Sequence, residues 1–223
     1  GTEIDLSSGT LTIDAASIVL DASDSISTPT AGTSNVKLGV NAGNSIASGG
    51  NFNVLVGDEA GTAITTGTDN TFIGSNAGDA LIDSDHNVAV GHQALTTDTK
   101  GSHSTAIGSF SLNTQNFSTA TDSNNTAVGY ASGAAITTGT QNALFGALSG
   151  DALNTGQYNT AIGTNTLSQD SKGSLSVAVG LNALTAQAFT TATDTYNTAV
   201  GAQAGTAITT GLSNTLIGGL AGD

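Results

Sequence analysis

The sequence predicts an all-β fold, a parallel β-solenoid or β-roll built from ~17-residue coils. Three observations lead there. A five-residue theme, Asn125-Thr126-Ala127-Val128-Gly129, returns as Asn70-Thr71-Phe72-Ile73-Gly74, Asn159-Thr160-Ala161-Ile162-Gly163 and Asn197-Thr198-Ala199-Val200-Gly201. The glycine closing each theme recurs from Gly39 to Gly218 in steps of 17, widened once to 18 and twice to 21. Glycine and β-branched residues fall in every coil, which a helix would not accommodate, whereas self-similarity at a fixed period marks stacked repeats.

The first thirty residues differ from the rest. Ile4-Asp5-Leu6, Leu11-Thr12-Ile13-Asp14 and Ile18-Val19-Leu20-Asp21 are short alternating segments separated by Ser, Gly and Ala, which read as brief strands with turns between them. Strands so short need partners from other chains. Residues 1–32 are therefore expected to form an intertwined β stalk segment, ending in the connector Ser27-Thr28-Pro29-Thr30-Ala31-Gly32, and residues 33–223 the solenoid.

Within the solenoid a higher order emerges. Gly57, Gly129 and Gly201 are evenly spaced, each interval holding three steps of 17 and one of 21. The flanks agree, since Gly61 to Asn70, Gly133 to Asn142 and Gly205 to Asn214 share G-x-A-I-T-T-G-x-x-N, and Asp98-Thr99-Lys100-Gly101-Ser102 returns as Asp170-Ser171-Lys172-Gly173-Ser174. The longer coil repeats as well, with Phe117 to Asp122 matching Phe189 to Asp194. Duplication of a four-coil block accounts for all three.

Each column of the repeat has a predicted role. The residue before the glycine is always large and apolar (Val56, Ile73, Val128, Phe145), and is expected to face inward. The residue before that, Ala127 in the central theme, falls on the opposite face and is expected to meet a neighbouring chain, so that the strand is buried on both sides. About two short strands per coil are expected. Four residues before the glycine stands Asn53, Asn70, Asn87, Asn125, Asn142, Asn159, Asn197 or Asn214, with Ser104 and Ser176 as substitutes. Asparagine tolerates left-handed backbone and stacks into hydrogen-bonded ladders. The glycine should supply a positive φ at the corner. Beyond it, positions Gly61, Gly78, Leu95, Leu112 and again Gly133, Gly150, Leu167, Leu184 run Gly-Gly-Leu-Leu.

Composition bounds the function. With 30 Gly, 9% charged residues and 4% aromatic residues, an ordinary enzyme core is not expected. The net charge of −14, from 17 acidic and 3 basic residues, excludes a nucleic-acid partner, which needs clustered Lys and Arg. Absence of Cys excludes disulfides and thiolate metal sites. No apolar run approaches the ~20 residues of a membrane helix, so no membrane insertion is expected.

Ser176-Val177-Ala178-Val179-Gly180-Leu181-Asn182-Ala183 resembles the S-V-A-I-G-x-x-A head repeat of YadA-like trimeric autotransporter adhesins, and the resemblance covers the repeats from about Asn35 to Asp223. The opening Thr12-Ile13-Asp14 and Val19-Leu20-Asp21, followed by N-T-A-V-G repeats, is also similar to bacteriophage tail-fibre and appendage proteins. Both resemblances imply a homotrimeric fibre on a virion or cell surface, and the first implies a left-handed roll. A host surface receptor or glycan is the partner such a fibre would take. The expected function is a structural and adhesive tail-fibre or appendage segment, with an adhesin head or cell-surface filament as the alternative and a polysaccharide-cleaving spike behind both.

Catalytic and metal chemistry finds little support. His86 and His103 share a column, yet that column also holds Phe52, Asp69, Gln141 and Tyr158, the signature of a surface position. Glu occurs only at Glu3 and Glu59, and no paired acids stand out in an irregular loop of the kind a glycosidase needs. No catalytic, metal or cofactor site is expected. The inserts are the expected contact surface, through Phe117, Asp122, Phe189 and Asp194.

Overall fold

A computed structural model describes residues 32–223 of the chain. The stalk expected over 1–32 lies, but for its last residue, outside the described residues. The remainder is an all-β parallel solenoid of about eleven turns with no helix. Its wall is one sheet whose strands are β1 (Val36–Leu38), β2 (Val54–Val56), β3 (Thr71–Ile73), β4 (Val88–Val90), β6 (Thr105–Ile107) and β8 (Thr126–Val128). It continues through β9 (Ala143–Phe145), β10 (Thr160–Ile162), β12 (Val177–Val179), β14 (Thr198–Val200) and β15 (Thr215–Ile217). All eleven strands pair in parallel and in register, so that Ala127 stands beside Ala106 and Leu144. At about 4.8 Å per strand the sheet is on the order of 50 Å long.

Each ordinary coil contributes one three-residue strand rather than two. Only the 21-residue coils and the coils before them add short strands, β5 (Gly101–Ser102) paired with β7 (Thr121–Asp122), and β11 (Gly173–Ser174) paired with β13 (Thr193–Asp194). The rest of each coil consists of turns whose backbone groups bond to the neighbouring coil, as Gly61 N–H does to the Ala77 carbonyl at 2.9 Å. Coil stacking thus satisfies the backbone without needing a second regular strand.

The strand faces are the reverse of the sequence expectation. Ala127 and its equivalents Leu55, Phe72, Ala89, Ala106, Leu144, Ala161, Ala178 and Ala199 are fully buried inside the coil. The large residues before the glycine point outward: Val128 is half-buried, and Ile73 and Phe145 are each 40% exposed. Alternation correctly separates two faces, but residue size is the wrong guide to which lies inside. The interior of a 17-residue coil is narrow, and several inward columns compete for it.

Those columns fit by volume. Where the strand supplies a large side chain, the turn supplies glycine. A Cβ at Gly78 would stand 2.6 Å from the Phe72 ring, and one at Gly150 would stand 3.0 Å from Leu144. Where the strand supplies only Ala89, Ala106, Ala161 or Ala178, the turn supplies the buried Leu95, Leu112, Leu167 or Leu184. These four leucines have φ between 47° and 54°, strained for a branched side chain. Burial of a leucine, about 1.5–3 kcal/mol, offsets that strain. Where both are small, at Ala127 with Gly133 and Ala199 with Gly205, the neighbouring coils fill the space through Leu112 and Leu144 or Leu184 and Leu216, so the Gly-Gly-Leu-Leu pattern is packing complementarity within and between coils.

The corner glycines are held by a separate constraint. Gly129 has φ 138°, and a Cβ there would meet the Gly146 carbonyl oxygen at 2.4 Å. That neighbour is backbone of the next coil and cannot rotate away. Gly129→Ala is expected to destabilise the fold by at least about 1–3 kcal/mol, whereas Thr105→Val on the outer face should stay within about 0.5 kcal/mol. Denaturant titration of both variants checks the contrast.

One acid is poorly accommodated. Asp79 accepts hydrogen bonds from Thr96 Oγ1 at 2.6 Å and Asn76 Nδ2 at 3.4 Å. Its block-equivalent Asp151 has Ser168 and Leu148 at those positions, and its Oδ1 is buried with no partner. Burial raises its pKa above the ordinary aspartate value, against a lowering contribution from the backbone N–H groups of Asp151 and Ala152. The folded state then retains a proton that the unfolded chain has lost, so this group's contribution declines as pH rises through that window. Asp151→Asn should accordingly gain stability at neutral pH, and the gain should vanish below the ordinary aspartate range. Unfolding curves of both proteins from pH 3 to 7 test this.

Candidate functional site

Each 21-residue coil must hide four extra residues without breaking the stack. A buried polar plug achieves this. In the inward column where other coils place Ile64, Leu81, Ile136 and Leu153, the long coils and the coils before them carry Asp98, Gln115, Asp170 and Gln187, all fully buried. Asp98 Oδ1 accepts the backbone N–H groups of Gly101 at 3.0 Å and Phe117 at 3.1 Å, and its Oδ2 accepts Gln115 Nε2 at 2.6 Å. Asp170 repeats the arrangement with Gly173 and Phe189 at 3.0 and 3.1 Å, and with Gln187. The carboxyl thus fastens the start of the insert to the coil before it.

The same plug bridges the asparagine ladder. Along an ordinary run, each asparagine donates its backbone N–H to the Oδ1 of the one before: Asn53 to Asn35 at 2.8 Å, Asn70 to Asn53 at 3.0 Å, and Asn87 to Asn70 at 2.9 Å. Asn142 to Asn125, Asn159 to Asn142 and Asn214 to Asn197 do likewise at 2.9, 3.0 and 2.9 Å. The amide also reaches a carbonyl at the end of its own coil, as from Asn125 Nδ2 to Gly139 O at 2.7 Å. At each long coil the run stops at Ser104 or Ser176. Asn125 and Asn197 then donate through the side-chain Nδ2, not the backbone N–H, to Gln115 Oε1 and Gln187 Oε1, both at 2.8 Å. Sequence reasoning located the ladder but not these splices. Their signal was the polar substitution of an apolar column, repeated at the equivalent positions of the next block.

The inserts present less than expected. Phe117 and Phe189 are 6% and 7% exposed, because they roof the polar plug rather than offer an aromatic surface. Asp122 and Asp194, on β7 and β13, are exposed. The exposed surface of the inserts is therefore acidic and hydroxyl-rich, and the two phenylalanines are structural.

Beside each insert runs a corner column of residues with φ near 58°, including His86, Gln141 and Tyr158. In the first block, His86 and His103 stack with ring centroids 5.1 Å apart, and His103 Nδ1 lies 3.1 Å from Asp122 Oδ1. Lys100 pairs with Asp83 at 3.8 Å, and Asp85 Oδ1 accepts the Thr68 N–H at 2.7 Å. The equivalent positions of the second block carry Thr155, Gln157, Tyr158 and, in place of His103, Leu175. There the flank opens as a groove of about 340 Å³ under the Thr193–Asp194 ledge. Among the described residues no group of three or more His, Asp or Glu is arranged to hold a metal ion.

No family model matches the chain, and neither curated proteins nor solved structures yield a match to it.

Asp98→Ala would leave the Gly101 and Phe117 N–H groups unpaired in the interior, at about 1–3 kcal/mol for each. Asp122→Ala, on the exposed ledge, should change stability by no more than about 0.5 kcal/mol. Thermal unfolding of the two variants against the unaltered chain measures the difference.

Proposed function

We propose that this chain is a segment of a structural and adhesive fibre, a tail fibre or similar appendage on a virion or cell surface, in which three copies pack their sheet faces about a common axis. The observation that carries the reading is the outer face of the long sheet. Two outward columns run its whole length. One holds Val or Thr in every coil except at Ala143, and the other Val, Ile, Leu or Phe. No charged residue enters either column in a protein of net charge −14. An unbroken apolar rank of this kind marks an interaction surface, whereas scattered exposed apolar residues need no partner.

Self-association fits this face because its chemistry is uniform along the rod. Copies in register would set Val128 against the matching coil of a neighbour, and the acidic remainder would stay in solvent. The resemblance of the repeats to trimeric fibre heads supports three copies. A shaft of this stiffness would hold its lateral ledges at fixed spacing, so that weak contacts from several chains act as one attachment.

Sedimentation of the unaltered protein at micromolar concentration should show a trimer. Val128→Lys and Ile162→Lys should shift it to monomer while circular dichroism stays unchanged, because both side chains lie outside the coil. A folded monomer of the unaltered chain would overturn the assembly.

A further inference from the structure

The two block-equivalent flanks have diverged, and the polar side chains of the second make fewer bonds with one another. In the first block the polar groups are engaged with each other or with backbone: His103 with Asp122, Lys100 with Asp83, and Asp85 with the Thr68 N–H. In the second, Leu175 replaces the histidine, and the Asp194 carboxylate has no hydrogen bond or ion pair among the described residues. Gln157 Oε1 accepts from Thr140 Oγ1 at 3.3 Å, which leaves its amide N–H₂ available. Tyr158 receives only the long contact from Gln141 Nε2 at 3.4 Å, and the residue is 49% exposed.

We propose that the groove lined by Thr155, Gln157, Tyr158, Ser174, Thr193 and Asp194 is a binding subsite for a neutral pyranose oligosaccharide. The assignment rests on the fibre reading for its setting, but its chemistry comes from the groove. A pyranose presents an apolar C–H face and a rim of hydroxyls, each both donor and acceptor. The exposed Tyr158 ring offers an apolar surface to that face, with a phenolic group at its edge. Asp194 supplies acceptors only, Gln157 supplies donors, and the Thr155 hydroxyl does both. A few convergent polar groups beside an aromatic wall is how small-ligand clefts fix orientation.

Other ligand classes fit less well. Asp194 is the one charged lining residue; Lys172 borders the groove, its carbonyl accepting the Thr193 N–H at 3.3 Å, but with a net charge of −14 the protein disfavours phosphate, sulfate and sialic acid. A single carboxylate falls short of the oxygen ligands that Ca²⁺ requires.

Saturation-transfer NMR tests the assignment, with maltotetraose, cellotetraose, mannotetraose, chitotetraose and 3′-sialyllactose as probes at millimolar concentration. At least one neutral probe should receive saturation. Its affinity should fall at least tenfold in Tyr158→Gln, which places the column's own Gln141 residue type at that corner, and in Asp194→Asn. His86→Gln, at the equivalent corner of the first block, should leave it unchanged. Transfer to no neutral probe, transfer only to the sialylated one, or binding untouched by both groove variants would overturn the proposal. Sedimentation of the same samples separates the two readings: trimers that bind no saccharide remove the subsite and leave the fibre, while monomers that bind remove the assembly and leave the subsite.

Discussion

The structure depends on one repeated interaction, the buried asparagine that ties its own coil closed and bonds the coil before it. Asn70 is fully buried, which would be costly for an unpaired amide. Its Oδ1 accepts the Asn87 N–H at 2.9 Å, and its Nδ2 donates to the Ser84 carbonyl at 2.8 Å. The interaction demands that successive coils share both length and conformation. One extra residue is tolerated, since the 18-residue step still joins Asn53 to Asn35 at 2.8 Å, but four extra residues break the run, and the steps between corner glycines hold at 17 over most of the chain.

From this constraint the exceptions become intelligible. The 21-residue coil cannot keep the ladder in step, so Gln115 and Gln187 stand in as the missing amide. Asp98 and Asp170 bind the displaced backbone, and Phe117 and Phe189 cover the plug. Apolar volume is lost in the exchange, since Ile64 and Leu81 have polar counterparts in these coils. Leu95 and Leu112 restore it from the adjacent column. The substitutions that set the long coils apart are thus coupled through packing and hydrogen bonding, and they all fall in two successive coils, between Gly91 and Gly129 and again between Gly163 and Gly201.

Much of the fold was legible because repetition makes position equal to environment. The corner glycines, the ladder and the in-register parallel pairing all follow from columns such as Asn125 and Gly129. What the columns did not disclose was the sense of the strand. Ala127 and Val128 lie on opposite faces in any reading, and bulk suggested that Val128 was inside. In a wide sandwich that inference would hold, because large residues fill the gap between sheets. In a coil this thin, the facing turn column already occupies the interior, and Leu112, reaching into it beside Gly133, leaves room for no more than a methyl at such positions. A bulky residue enters only where the facing turn is glycine, as at Leu55, Phe72 and Leu144, and the apolar character of the outward residue needs an explanation outside the coil.

The inserts were misread for a related reason. Phe117 departs from the repeat, and departure suggested display. Yet an insertion in a stacked fold must first be anchored, and an aromatic side chain next to buried polar groups is the means of excluding water from them. Only the residues beyond the anchor are free to vary without loss of the stack. Comparison of the two copies shows where they did so: Asp98, Gln115 and Phe117 are repeated unchanged as Asp170, Gln187 and Phe189, whereas Asp83, Asp85, His86 and His103 became Thr155, Gln157, Tyr158 and Leu175. Positions on one flank, outside the core, changed while the anchor beneath them did not. The two copies differ elsewhere too, as at Phe72 and Leu144 or Tyr130 and Ala202, but on this flank the first copy pairs His103 with Asp122 and Lys100 with Asp83, whereas Asp194 in the second makes no such pair among the described residues.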